Sequence, residues 1–185
     1  MKSGELTISP MRGIRQMLKV IRMYYEAFPA DERKPFQMIL KKRRSGKSDI
    51  WYFSQNGRFA GFATTVNGDG LILIDYLAVA KEMRGKGVGS GALQSLRKQY
   101  TGHGVFVEIE SVYEAYDDMD ERLRRKRFYE RNGMKEMGVL ADVFGVRMEL
   151  MGWDCRMTFE QYQVFYRENN SPWAAEHLKY VEFPH

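Results

Sequence analysis

Four glycines stand at alternate positions in Tyr76-Leu77-Ala78-Val79-Ala80-Lys81-Glu82-Met83-Arg84-Gly85-Lys86-Gly87-Val88-Gly89-Ser90-Gly91-Ala92-Leu93. The run before them is apolar and strand-like, and the run after them has helical spacing. Glycine permits positive φ and close approach of the backbone to a ligand. Successive N–H groups at a helix N-terminus attract an anion, and the helix dipole adds to the attraction. Arg84 and Lys86 contribute formal positive charge. Arg84, Gly85, Lys86, Gly87, Val88, Gly89 and Ser90 therefore have the chemistry of a phosphate or pyrophosphate cradle.

Two other phosphate motifs fit worse. Gly87-Val88-Gly89-Ser90-Gly91-Ala92 has the form G-x-G-x-x-G/A, and Glu108 follows about 20 residues on, as a dinucleotide fingerprint requires. That motif follows its strand almost at once, in the first βαβ unit. Here residues 80–86 intervene and three strand-like runs come first. Gly46-Lys47-Ser48 ends like a mononucleotide P-loop, but Lys41 occupies the position of its first glycine.

The elements that must hold this loop can be read from periodicity. Ile14, Met17, Leu18, Ile21, Tyr24, Tyr25 and Phe28 recur at spacings of three and four, which predicts a helix over Met11 to Phe28, stopped by Pro29. A second helix is expected from about Arg33 to Arg44, capped by Asp31, with Pro35 in its first turn. Strands are expected at Ile50–Ser54, Arg58–Val66 and Leu71–Val79, separated by the turn signals Gln55-Asn56-Gly57 and Asn67-Gly68-Asp69-Gly70. A short strand at Leu6–Ser9 can precede them. After the glycine loop come a helix to Tyr100, a strand Val105–Glu110 and a basic helix Glu121–Arg131 ended by Asn132-Gly133. Met134–Leu140 and Val146–Met151 read as a closing hairpin. Thr158 to His185 reads as one or two helices, broken at Asn169-Asn170-Ser171-Pro172. The expected fold is α/β of the α+β kind, a mixed sheet carrying helices, not a doubly wound repeat. The expected division is a domain over 1–152 and a helical C-terminal extension over 153–185, packed on the same domain or on a partner.

Composition narrows the classes. The 185 residues are 44% hydrophobic and 29% charged, ordinary for a globular domain. No apolar stretch approaches the ~20 residues of a membrane span, and Asp75 interrupts the longest one. The first residues lack the apolar region of a signal peptide, and Cys155 is the lone cysteine, so the expected compartment is the cytoplasm. The net charge of +5 permits a polyanionic partner without selecting one. His103, His177 and His185 have no ligand spacing, so no metal site is expected. Cys155 reads as an ordinary hydrophobe.

The spacing Arg84-x-x-Gly87-x-Gly89 resembles the pyrophosphate signature of the GNAT superfamily of acyl-CoA-dependent N-acyltransferases. The strand end Leu77-Ala78-Val79 and the downstream Arg127-Phe128-Tyr129-Glu130-Arg131-Asn132-Gly133-Met134 resemble the same family. The likeness covers roughly residues 6–151, in matching element order. It implies a mostly antiparallel sheet, opened as a V between Leu71–Val79 and Val105–Glu110, with helices on both faces. It also implies acetyl-CoA as cosubstrate. The pantetheine arm would pair with backbone at Leu77, Ala78 and Val79, and the pyrophosphate would sit on Arg84 to Ser90. The amine would attack the thioester directly, and Tyr129 would be the acid that protonates the leaving thiolate. Many members carry an Asn seven residues before that Tyr. Here the position is Arg122.

A base for the attacking amine is sought among three carboxylates, Asp75, Glu108 and Glu110, which would line the V. Structural duties compete with that role. These are a strand-edge hydrogen bond for Asp75, and a salt bridge to the basic helix for Glu108 or Glu110. Arg122, Arg124, Arg125, Lys126 and Arg127 read as a solvated face, with Arg124 or Arg125 able to reach a CoA phosphate. The family's acceptor region maps to the first interhelical turn, where Tyr25, Glu26 and Phe28 make an aromatic and acidic surface suited to a cationic amine. The expected partner is an amine-bearing small molecule or peptide. Neither a membrane nor nucleic acid is expected, because the aromatic-basic interleaving of RNA readers is absent. The aromatic tail leaves room for a homodimer. The alternative readings are a non-catalytic acyl-CoA-binding or regulatory module on the same fold, and an RNA-binding protein.

Overall fold

The structure is a computed structural model that describes residues 5–30 and 32–184. Asp31, the expected cap of the second helix, lies outside the described residues, as does His185. The elements are β1 (Leu6–Pro10), α1 (Gly13–Ala27), α2 (Phe36–Arg44), β2 (Ser48–Gln55), β3 (Arg58–Asn67), β4 (Leu71–Val79), a 3-10 turn (Lys81–Met83), α3 (Val88–Gln99), β5 (Gly104–Glu110), α4 (Met119–Arg131), β6 (Lys135–Val143), β7 (Val146–Trp153), α5 (Phe159–Asn169), α6 (Pro172–Glu176) and β8 (Leu178–Val181). The eight strands follow the order β1-β2-β3-β4-β5-β7-β6-β8. The sheet is mixed and mostly antiparallel, as the sequence predicts.

The chain divides into two compact units, Met1–Asn67 with Ile74–Gln99, and Gly68–Leu73 with Tyr100–His185. In the first, β1 runs antiparallel to β2, and β2 to β3. Its core gathers Val20, Met23 and Tyr24 of α1 with Phe36, Ile39, Phe62 and Tyr76. Gly61 makes the approach of β3 to the end of β4 feasible. A Cβ there would lie 2.2 Å from the Ala78 carbonyl oxygen and 3.1 Å from Val79 Cα.

The second helix begins three residues later than expected, at Phe36. Proline disfavours helical φ/ψ at the residue before it, so Lys34 cannot continue a helix into Pro35. Two core tyrosines hold the resulting extended segment. Tyr24 Oη donates to the Lys34 carbonyl at 2.8 Å, and Tyr76 Oη to the Glu32 carbonyl at 2.9 Å.

In the second unit the ladder between β4 and β5 is parallel and pairs Leu71 with Gly104, Ile72 with Val105 and Leu73 with Phe106. A parallel pair needs a crossover connection, and α3 supplies it. β7 runs antiparallel to β5, and β6 is antiparallel to both β7 and β8. The tail is not wholly helical. Leu178–Val181 forms β8 on the edge of β6, a four-residue run too short for periodicity to identify. α5 opens with a capping box. Gln161 N donates to Thr158 Oγ1, and Thr158 N to Gln161 Oε1. Ser171 caps α6 just before Pro172, at the predicted break.

Candidate active site

In the first unit, β4 exits through Val79 into the Lys81–Met83 turn and then into α3. Gly85 (φ +72°) and Gly87 (φ +79°) occupy the left-handed region, and a Cβ at either would meet nothing within 4 Å. These positions demand glycine for backbone conformation, not for room. Gly89 and Gly91 lie inside the first turn of α3 instead of before it. Gly91 N bonds the Gly87 carbonyl at 2.9 Å. The donors before it are those that an α-helix leaves without an i−4 acceptor. Arg84, Gly85, Lys86 and Gly87 are exposed, whereas Val88 is buried and anchors the turn. Arg84 Nε donates to the Val79 carbonyl at 3.2 Å, so the guanidinium is drawn back over the strand end. The loop thus collects the first-turn donors of α3 and a cation at the carboxyl end of a strand, where α/β sheets bind their ligands. Leu77 and Val79 are half-buried, and Ala78 is buried.

Asp75, on the same strand, is 9% exposed at its side chain and accepts from Lys34 Nζ at 2.8 and 3.1 Å. Its partner is an ammonium, not the strand-edge hydrogen bond weighed from sequence. Lys42 lies in the same surroundings, and burial together with the Lys34 charge pushes its pKa down to about 8. Of the acceptor residues, Tyr25 is exposed beneath the Arg33 guanidinium, 4.8 Å from its ring. Glu26 pairs with Arg22 at 2.8 Å on the surface. Phe28 packs edge-on to Tyr76.

In the second unit, α4 turns Arg122, Lys126 and Tyr129 inward. Tyr129 is buried, and its hydroxyl has no hydrogen-bond partner among the described residues. Burial pushes its pKa up to about 12, so it holds its proton at neutral pH. Arg122 is no solvated residue. It pairs with Asp118 at 2.8 Å and Glu110 at 3.2 Å, donates to the Ser111 carbonyl at 3.2 Å, and lies 3.7 Å over the Tyr116 ring. Lys126 is also buried, with Glu149 and Glu136 as carboxylate partners. Arg125 pairs with Glu110, whereas Arg124, bonded to Glu121 at 3.4 Å, and Arg127 are exposed, as the solvated face predicts. Glu108 accepts from Tyr162 Oη at 2.7 Å and Tyr166 Oη at 3.1 Å, which ties α5 to β5.

Sequence reasoning missed the Lys126–Glu149 pair. The available signal was Glu149 breaking the apolar run Met148-Glu149-Leu150-Met151, the kind of interruption that marked Asp75. Cys155 is half-buried, with its thiol pushed up to about 11, chiefly by burial and then by Asp154.

Comparison with known proteins places these elements in a family. The model of the "Acetyltransferase (GNAT) family" matches residues 15–134, which include β4, the glycine loop and Tyr129. "Putative acetyltransferase YjbC" of Bacillus subtilis (strain 168) is 33% identical over 117 residues, 60% of this chain and 53% of that one. The chain thus spans about half the length of this curated relative. A solved structure titled "Putative acetyltransferase from GNAT family from Bacteroides thetaiotaomicron" has a TM-score of 0.76 at 17% identity, covering 91% of this chain and 98% of its own. The ribosomal-protein-S18-alanine N-acetyltransferase from Escherichia coli has a TM-score of 0.60 at 17% identity, covering 83% and 96%. At such identity these structures carry the fold alone. With the family model matched over most of the chain, from α1 to the end of α4, this protein belongs to the GNAT acetyltransferase family.

Proposed function

We propose that this protein is an acetyl-CoA-dependent N-acetyltransferase that moves the acetyl group directly to a primary amine of a small molecule or peptide. The observation that carries the reading is the loop at the end of β4. There two left-handed glycines, a cation and the open first turn of α3 converge. In this reading the pyrophosphate of acetyl-CoA lies on Arg84 to Ser90. The pantetheine amides pair with backbone at Leu77, Ala78 and Val79.

The amine nitrogen attacks the thioester carbon, and the C–S bond breaks as the tetrahedral intermediate collapses. Backbone N–H donation near Val79 stabilises the oxyanion. Tyr129 gives its proton to the CoA thiolate, consistent with a buried phenol that no neighbour holds. The attacking ammonium must first lose a proton. Asp75 is paired with a lysine and Glu110 with two arginines, so both carboxylates are already engaged in ion pairs. Glu108 has hydroxyl partners in Tyr162 and Tyr166, so it is the carboxylate we assign as base. We assign the acceptor's approach to Tyr25, Glu26 and Phe28, where a cationic amine would take the place that Arg22 now holds at Glu26. Amine acceptors are named for two structural neighbours, the ribosomal-protein-S18-alanine enzyme and a spermidine N-acetyltransferase chimera.

The test is release of free CoA thiol from acetyl-CoA across a panel of polyamines, aminoglycosides and peptides with free N-termini. Amine-dependent release that falls in Glu108→Gln, with loss of the acidic limb of the pH profile, supports the scheme. An acidic limb lost in Asp75→Asn or Glu110→Gln instead would move the base. CoA binding without turnover on any amine would favour the non-catalytic module.

A further inference from the structure

The apolar surface of helix α1 is wider than the core covers. Val20, Met23 and Tyr24 point inward and are buried. Ile14, Leu18, Ile21 and Tyr25 form a second stripe. Ile14 and Leu18 are each 59% exposed and Tyr25 50%, and Ile21 between them is half-buried where the stripe meets the edge of the core. The spacing of the second stripe is four, three, four, the alternation of a two-heptad coiled-coil seam. Its length is about 16 Å at 1.5 Å per residue.

We propose that this seam docks an acidic amphipathic helix of another protein. Charge selects that occupant. Arg15 and Arg22 directly follow the seam residues Ile14 and Ile21, at the flanking positions that set partner choice in paired helices. Arg12, Arg15 and Lys19 are exposed, and their side chains have no partner among the described residues, while Arg22 bonds Glu26. A second copy is disfavoured. Antiparallel self-pairing would set Arg15 against Arg22, and parallel pairing would need the opposite flank, Met17 and Tyr24, which packs into the core. A membrane surface fits less well, because the stripe is one residue wide and interfacial helices bury a broad apolar face. Tyr25 is shared with the proposed acceptor surface, so the test below reads Ile14 and Leu18, which that reading does not use.

The test titrates the full chain into a labelled three-heptad peptide with leucines along its seam and glutamates flanking it, followed by anisotropy. A second peptide has lysines in place of the glutamates. The glutamate peptide should bind with Kd on the order of 10 μM. It should weaken about tenfold or more in Leu18→Asp and in Ile14→Glu, and weaken with salt. The lysine peptide should not bind. Circular dichroism checks that each variant folds, and acetyl-CoA affinity should be the same in both. Absent or charge-independent peptide binding overturns the proposal. So does a dimer in sedimentation, or binding to phosphatidylserine vesicles, that Leu18→Asp abolishes.

Discussion

Lys126 Nζ lies 2.8 Å from Glu149 Oε2, with Glu149 1% exposed and the pair one helical turn before Tyr129 on the inward face of α4. The second oxygen, Glu149 Oε1, is buried without a hydrogen-bond partner. Breaking a buried pair from one side strands a charge, whereas replacing both members with apolar groups does not. Lys126→Met should therefore cost about 3–5 kcal/mol in urea unfolding. Adding Glu149→Leu should recover much of it. Burial, and Glu136 nearby, already raise the Glu149 pKa in the fold. A carboxyl raised in the fold contributes stability below its unfolded pKa and loses it as pH rises, so the Lys126→Met deficit should grow above about pH 4.5. A single variant as stable as the parent across that range contradicts this.

Tyr129 keeps its proton because burial raises its pKa to about 12. Tyr129→Phe should lower kcat by ~10-fold or more with little change in KM, as loss of a general acid does. The parent should show no alkaline limb belonging to Tyr129 below about pH 11. An unchanged kcat at saturating substrate would remove Tyr129 from the mechanism.

Much of this was legible in the sequence, and the failures have physical causes. Glycine spacing located the left-handed loop after β4 because positive φ leaves few other residue choices, and Gly85 and Gly87 have that conformation. The helix and strand periodicities placed α1, β2, β3 and β4 within a few residues. What periodicity could not see was pairing. Glu108 meets Tyr162 and Tyr166 from a helix more than fifty residues away. Lys126 looked like one more cation on a basic helix, because the carboxylates that neutralise it come from β6 and β7. β8 exists through its partner strand, which a four-residue stretch does not announce.

Gly87→Ala should weaken acetyl-CoA binding while costing about 1–2 kcal/mol of stability, the penalty of a left-handed conformation for a residue with a Cβ. Arg84→Gln should raise Kd by about tenfold, the loss of one charged hydrogen bond, and leave Tm nearly unchanged because the side chain is exposed. Titration calorimetry and a thermal melt on each variant separate the two effects. Equal affinity in both would mean the loop is only a turn.

Cys155 should be a poor nucleophile. Burial and the adjacent Asp154 push its thiol up to about 11, so little thiolate exists near pH 8. Reaction with a disulfide reagent should be slow in the native protein and fast in denaturant. Rapid native labelling would contradict the burial.

The central claim is that the loop after β4 binds the pyrophosphate of a CoA thioester. Calorimetric titration of the purified protein with acetyl-CoA and CoA, against NAD and ATP, tests it most directly. The account predicts micromolar binding of acetyl-CoA and CoA, weakened in Arg84→Gln, and none of comparable strength for NAD or ATP. Absence of binding to either CoA species, or equal binding of all four ligands, would contradict it.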